Sequence, residues 1–138
     1  MRLNLSCKLR NLFTLFILIY VLSLTSCLSL GDGSDKIIKV ASNNAHSRKA
    51  ILFARESGTT VADSYQISIL NYKAEFDTTE VGNCLTVDDD RGKARLIPAS
   101  IDFNWLSDSL LEIRYDKNLR AFIMESTVKG VSIIYKTK

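Results

Sequence analysis

"IDFNWLSDSLLEIRY", Ile101 to Tyr115, is the stretch that decides the fold. Ile101, Phe103 and Trp105 alternate with Asp102, Asn104 and Leu106, the period of a strand with one face on a core. Ser107–Ser109 is a tight polar turn, and "LLEIRYD" (Leu110–Asp116) is the returning strand. Two apolar runs joined by a short turn make a β-hairpin. On this hairpin Phe103, Trp105 and Tyr115 read as core rather than as a stacking platform. Arg114 and Arg120 read as solvated side chains, with an acidic partner as the sharper alternative.

The same grammar extends outward. "KIIKVAS" (Lys36–Ser42) is a first strand and Asn43–Ser47 a polar turn. "RKAILFARE" (Arg48–Glu56) is a second strand, central in its sheet because Ala50–Ala54 is apolar throughout. Ser57–Asp63 is a loop. "SYQISILNY" (Ser64–Tyr72) sets Tyr65, Ile67 and Ile69 against Gln66, Ser68 and Leu70. A helical alternative exists there, since Tyr65, Ile69 and Tyr72 also fit i, i+4, i+7. Lys73–Gly82 reads as a loop, or as a loop holding one short strand, and Asn83–Asp89 as a strand ending at the turn Asp90–Lys93. Ala94–Leu106 holds the only proline, Pro98, which breaks or edges its strand. Ala121–Val128 and Val131–Lys138 flank Lys129-Gly130 as a second hairpin. The expected fold is all-β: a single antiparallel β-meander or sandwich domain of about 6–8 strands, over residues 36–138.

The first 26 residues differ. Arg2, Lys8 and Arg10 precede the apolar run "NLFTLFILIYVLSL", the charged and apolar regions of an export signal. Three of the 18 Lys and Arg residues, and none of the 15 Asp and Glu, fall within them. The net charge of +3 therefore belongs to the leader, and the balanced remainder lacks an electrostatic footprint for nucleic acid. Cys7, Cys27 and Cys84 are too few and too scattered for a disulfide framework. Cys84 reads as a small buried strand residue.

The leader ends in "LTSC", Leu24 to Cys27. This stretch resembles the lipobox of bacterial lipoproteins. The resemblance implies a diacylglyceryl group on the Cys27 sulfur, cleavage before Cys27 and acylation of the new amino group. Two or three chains make attachment to a leaflet nearly permanent, whereas one holds only marginally. An uncleaved helix over Leu12–Leu30 and a plain secretory cut are the alternatives. Leu28 stands where an aspartate would favour the inner membrane, so the resemblance implies the periplasmic face of the outer membrane. Residues 27–35 become the lipidated cysteine and a spacer reaching about 15 Å.

No catalytic constellation is evident. A Ser-His-Asp hydrolase would have to use His46, the only histidine, and no G-x-S-x-G elbow is present. "VDDDRGK" (Val87–Lys93) departs from the EF-hand pattern, with glycine one place early and Ala99 at the twelfth position. One histidine and one cysteine in the body leave zinc unsupported, and no cofactor is indicated. The hydroxyl-rich loop Glu56–Ser64 lacks the Gly-Lys-Ser/Thr of a P-loop but could present donors to a ligand. The candidate binding residues are Arg55, Gly58, Thr59, Thr60 and Trp105.

"KAILFARESGTT", "QISIL", "NWLSDSLLEIRYDKNLRAF" and "VKGVSIIY" together resemble a family of small uncharacterised bacterial proteins carried behind export or lipoprotein signals. Members often have a cysteine where this chain has Ser57, so no thiol role carries over. The resemblance implies domain boundaries and no activity. The function expected is a membrane-anchored envelope lipoprotein that is non-catalytic and binds another envelope protein or supports structure. A small-ligand-binding module is the alternative, and a hydrolase using His46 the least favoured.

Overall fold

A computed structural model describes residues 35–56 and 63–138. The fold is all-β, with nine strands in two sheets among the described residues. The strands are β1 (Asp35–Ser42), β2 (Arg48–Arg55), β3 (Ser64–Asn71), β4 (Leu85–Asp88), β5 (Ile101–Ser107), β6 (Leu110–Tyr115), β7 (Arg120–Met124), β8 (Thr127–Val128) and β9 (Val131–Thr137). One sheet runs β1-β2-β3-β4-β7, the other β5-β6-β9-β8. Among the described residues no helix is long and apolar enough to cross a membrane.

The sheets share one core. Leu52, Ile67, Leu85 and Val87 from the first meet Phe103, Leu111, Ile113 and Val131 from the second, all almost wholly buried. The expected hairpin is present: Phe103 pairs with Ile113 and Trp105 with Leu111, with a bulge at Leu106 before the turn. Phe103 is fully buried, while Trp105 and Tyr115 pack against the rim of the core.

Two expectations are corrected. The strand expected over Ala121–Val128 is two strands: β7 pairs with β4, and the chain then crosses to the second sheet as β8. This bend raises the count to nine. The fold is also not purely antiparallel, because β9 lies parallel to β6, Ile133 beside Leu111. As expected, Pro98 breaks the strand: it opens the 3-10 turn Pro98–Ser100, and β5 starts only at Ile101. The second hairpin keeps its expected turn. Lys129 (φ 49°) and Gly130 (φ 79°) both take the left-handed region that a two-residue hairpin turn requires.

β3 is a strand, and over Gln66–Leu70 neither of its faces meets water. Ile67 and Ile69 enter the shared core; on the other face Gln66 is 3 % and Ser68 5 % exposed. Segment 72–83 covers that face, building a second small core of Ile51, Phe53 and Leu70 with Ala74 and Phe76. Its return is tied to β3 by hydrogen bonds at Gly82 and Asn83. Gly82 N donates to Gln66 Oε1 at 2.7 Å, and the Asn83 side chain takes the place of a strand partner for both backbone groups of Ile69. Gly82 is required by close approach. A Cβ there would lie 2.8 Å from the Gln66 Cβ and 3.1 Å from the Ile67 and Leu85 carbonyls. Gly82→Ala is therefore expected to lower stability by about 1–3 kcal/mol, the usual cost of overpacking, read as a fall in the urea midpoint with the slope unchanged.

Candidate functional site

β1 sets the geometry of the site. Ile37 pairs with Phe53 and Lys39 with Leu52, so Ile38 is the extra residue of a bulge. The bulge lets Ile38 pack on the shared core while Lys39 reaches the second sheet. Lys39 Nζ donates to Asp102 Oδ1 at 2.6 Å and to the Phe103 carbonyl at 2.7 Å. Trp105 Nε1 donates to the Ala41 carbonyl at 3.0 Å. These contacts close the seam between β1 and β5 at one end of the sandwich.

Toward the start of β1, the 94–98 connection replaces β5 as the opposite wall, and a cleft of about 420 Å³ opens. Its floor is apolar: Ile38, Ala54, Leu96 and the ring of Tyr65. Register builds that floor, since Lys36 pairs with Ala54 and Ala54 with Tyr65, placing all three on one face. Charge gathers at the rim, with Lys36 against the carboxylates of Glu56, Asp63 and Asp89. Burial, and then the Asp63 charge, push the Tyr65 phenol above its ordinary value.

Asp89 stands apart from its neighbours. Asp88, the last residue of β4, is buried, whereas Asp89 follows the strand and lines the cleft. Asp88 accepts from Arg120 Nε at 3.1 Å. The Asp89 Oδ1 atom is buried and has no hydrogen-bond partner among the described residues. Its backbone is fixed where it stands: Ala94 N donates to the Asp89 carbonyl at 2.9 Å, closing a turn in which Asp90, Arg91 and Gly92 all have positive φ. A buried carboxylate oxygen without a donor is costly, and calls for a physical reason.

The residues proposed from sequence fall in different places. The Arg55 guanidinium grips the Asp35 carboxylate at 3.1 and 2.9 Å and the carbonyls of Thr78 and Glu80. It ties the start of β1 to the covering segment, and the Asp35 hydrogen bond raises its pKa. Trp105 belongs to the seam near Ala41, six residues along β1 from Asp35 and so about 20 Å away. Arg55 and Trp105 therefore do not form one site. Gly58, Thr59, Thr60 and Cys27 lie outside the described residues.

The remaining candidates have structural roles. His46 sits in the turn between β1 and β2 at φ 50°, its Nδ1 3.0 Å from the Asn44 carbonyl and its ring edge-on to Tyr72. That turn is organised by Asn43, which is almost fully buried. Its Oδ1 accepts from Ser47 N and Arg48 N, and its Nδ2 donates to Ser47 Oγ and the Asp108 carbonyl. Arg114 and Arg120 are paired within the chain, with Glu112 and Asp88. Cys84 is buried as expected; burial pushes its thiol up to about 12, well away from thiolate reactivity. The neighbouring Tyr135 hydroxyl instead donates to the Cys84 and Glu125 carbonyls, at 3.1 and 2.7 Å. Among the described residues no three His, Cys, Asp or Glu side chains are grouped to hold a metal ion. Comparison with protein-family models, with curated proteins and with solved structures returned no match.

The cleft escapes sequence reading because its walls come from separated segments. Asp89 is one of three consecutive acids, and it reaches the cleft because β4 ends at Asp88 and the chain turns there. Its neighbour Asp88 offers a test of the sheet edge. The Arg120 hydrogen bond holds the Asp88 carboxyl below its usual range, so the ionised form stabilises the fold. That contribution is present above the ordinary carboxylate pKa and is lost as pH falls through the lowered value. Asp88→Asn is expected to lower the melting temperature by several degrees at neutral pH. The gap from wild type should close progressively below about pH 4 in melts across a pH series.

Proposed function

We propose that this chain is a lipid-anchored module of a bacterial envelope, held to a leaflet through acylated Cys27, and that its β-sandwich binds another envelope protein. The observation that carries this reading is the leader. Three cations, an apolar run and Leu24-Thr25-Ser26-Cys27 occur in the order that export, lipidation and cleavage require. Anchoring by two or three acyl chains would be effectively permanent. The spacer would keep the sandwich close to the lipid surface, at the periplasmic face of an outer membrane.

Two features support binding over chemistry. The body carries no net charge that would steer it to nucleic acid. The cleft beside β1 joins an apolar floor to a charged rim, which is the composition of a recognition surface. The same cleft favours a second reading, a small-ligand-binding module. A pull-down from detergent-solubilised envelope separates the two. A recovered protein partner fits the first; no partner, with a small molecule co-purifying, fits the second.

The anchor has its own test. The membrane-extracted protein is expected to have the mass of a chain starting at Cys27 plus a diacylglyceryl group, with or without a third acyl chain. Cys27→Ser is expected to abolish that mass and move most of the protein out of the membrane fraction. A Cys27→Ser chain cut at the same place and equally membrane-bound would overturn the assignment.

A further inference from the structure

Resting on the lipid-anchored reading, we infer that the outer face of β1 lies on the leaflet that holds the anchor, with Ile37 and Val40 seated at the boundary between headgroups and acyl chains. The β1 bulge carries the argument. Strict alternation in "KIIKV" (Lys36–Val40) would set Lys36, Ile38 and Val40 on one face and Ile37 with Lys39 on the other. The extra residue sorts them differently. Ile38 packs on the shared core, Lys39 turns the same way to Asp102 and the Phe103 ring, and Lys36 lines the cleft. Ile37 and Val40 are left together on the outer face, opposite Phe53 and Ile51. Ile37 is 49 % and Val40 52 % exposed, although the residues they pair with are almost wholly buried. The charge on that face of β1 belongs to Asp35, whose side chain is buried in its pairing with Arg55. Edge strands commonly carry lysine outward to discourage association. Here both lysines point the other way, and the exposed strip is apolar.

The anchor decides what covers the strip. β1 begins at Asp35, and eight residues, 27–34, lead from Cys27 to it. A chain of that length spans about 15 Å as a coil and at most about 28 Å when fully extended. Ile37 lies two residues further, about 7 Å along the strand. Along the chain, the strip is therefore the exposed apolar surface nearest the point of lipid attachment among the described residues. Phe122, also exposed, lies on β7 at the other edge of the sheet, four strand spacings or about 19 Å away. The segment covering the outer face of the sheet carries exposed Glu75, Asp77 and Glu80, so the contact is apolar and not electrostatic. As the terminal strand of its sheet, β1 has backbone groups that need water or headgroup partners, which keeps the strip at the boundary and out of the hydrocarbon.

The test places a nitroxide spin label at Ile37→Cys, at Val40→Cys or, as a control, at Phe122→Cys. Each protein is extracted from its membrane and reconstituted into phosphatidylcholine vesicles. All three positions are exposed, so the labels are tolerated by the fold, and buried Cys84 does not compete for the reagent. Power saturation then compares collisions with oxygen, which partitions into lipid, and with a water-soluble nickel chelate. The labels at 37 and 40 are expected to favour oxygen and to lose most of their collisions with the chelate. The label at 122 is expected to favour the chelate. The pattern should persist in about 0.5 M salt, because screening does not weaken an apolar contact. Labels at 37 and 40 as open to the chelate as the label at 122 would overturn the docking. Labels shielded from both reagents would put protein on the strip in place of lipid and overturn it as well; spin–spin broadening that fades on dilution with unlabelled protein would identify that protein as a second copy. If the intact mass shows acyl chains on Cys27 while the labels at 37 and 40 meet water, the anchor stands and the docking falls. If the mass shows none and those labels meet water, both fall.

Discussion

The structure depends on one apolar layer shared by two sheets. Leu52, Ile67 and Leu85 on one side and Phe103, Leu111 and Ile113 on the other have essentially no contact with water. Each such side chain contributes about 1.5–3 kcal/mol relative to exposure, and no single sheet here could bury them alone. The layer therefore dictates which residues of every strand point inward. It also dictates where the chain must leave one sheet for the other. That transfer occurs at Glu125 and Ser126, whose backbone groups bond to Cys84 and Ile133 and keep the crossing strand paired as it turns.

A second constraint follows from covering both faces of β3. Polar groups trapped under segment 72–83 need partners, and short side chains provide them. Gln66 holds Gly82, Asn83 stands in for a strand beside Ile69, and Asn43 closes the turn that leads into β2. Each replaces a missing backbone partner with a side-chain amide, which carries both donor and acceptor. Ion pairs take the same role at the margins: Asp35 with Arg55, Asp88 with Arg120 and Glu112 with Arg114 and Lys136. Thr86 Oγ1, beside Gln66, and Asp89 Oδ1, at the end of β4, are the exceptions among the described residues.

The cleft arises from the way the two edge strands are joined. β1 and β5 are stitched by Lys39 and Trp105 at one end only. At the other end Pro98 delays the start of β5, and the wall it leaves behind is a connection instead of a strand. A proline that cannot donate to a ladder thus helps set the size of the opening.

Local pattern was sufficient for much of this. The alternation in Ile101–Tyr115 and the apolar run Ala50–Ala54 identify their strands because side-chain period and burial are properties of the local chain. Lys129-Gly130 identifies a turn for the same reason. The address proposed from Leu24–Cys27 rests on the same kind of local reading, because such processing reads sequence, not shape. Tertiary structure alone decided the rest. A bend at residues 125–126 made two strands of one apparent strand, and the parallel partner of β6 came from the far end of the chain. The covering segment buried Gln66 and Ser68, which alternation had placed on an outer face. Arg55 and Trp105 were drawn apart along β1, while Lys36, Tyr65 and Asp89, distant in sequence, were brought to one cleft. The physical reason is that pairing register and sheet-on-sheet packing are long-range choices, settled by which arrangement buries the shared apolar layer. No window of neighbouring residues contains that information.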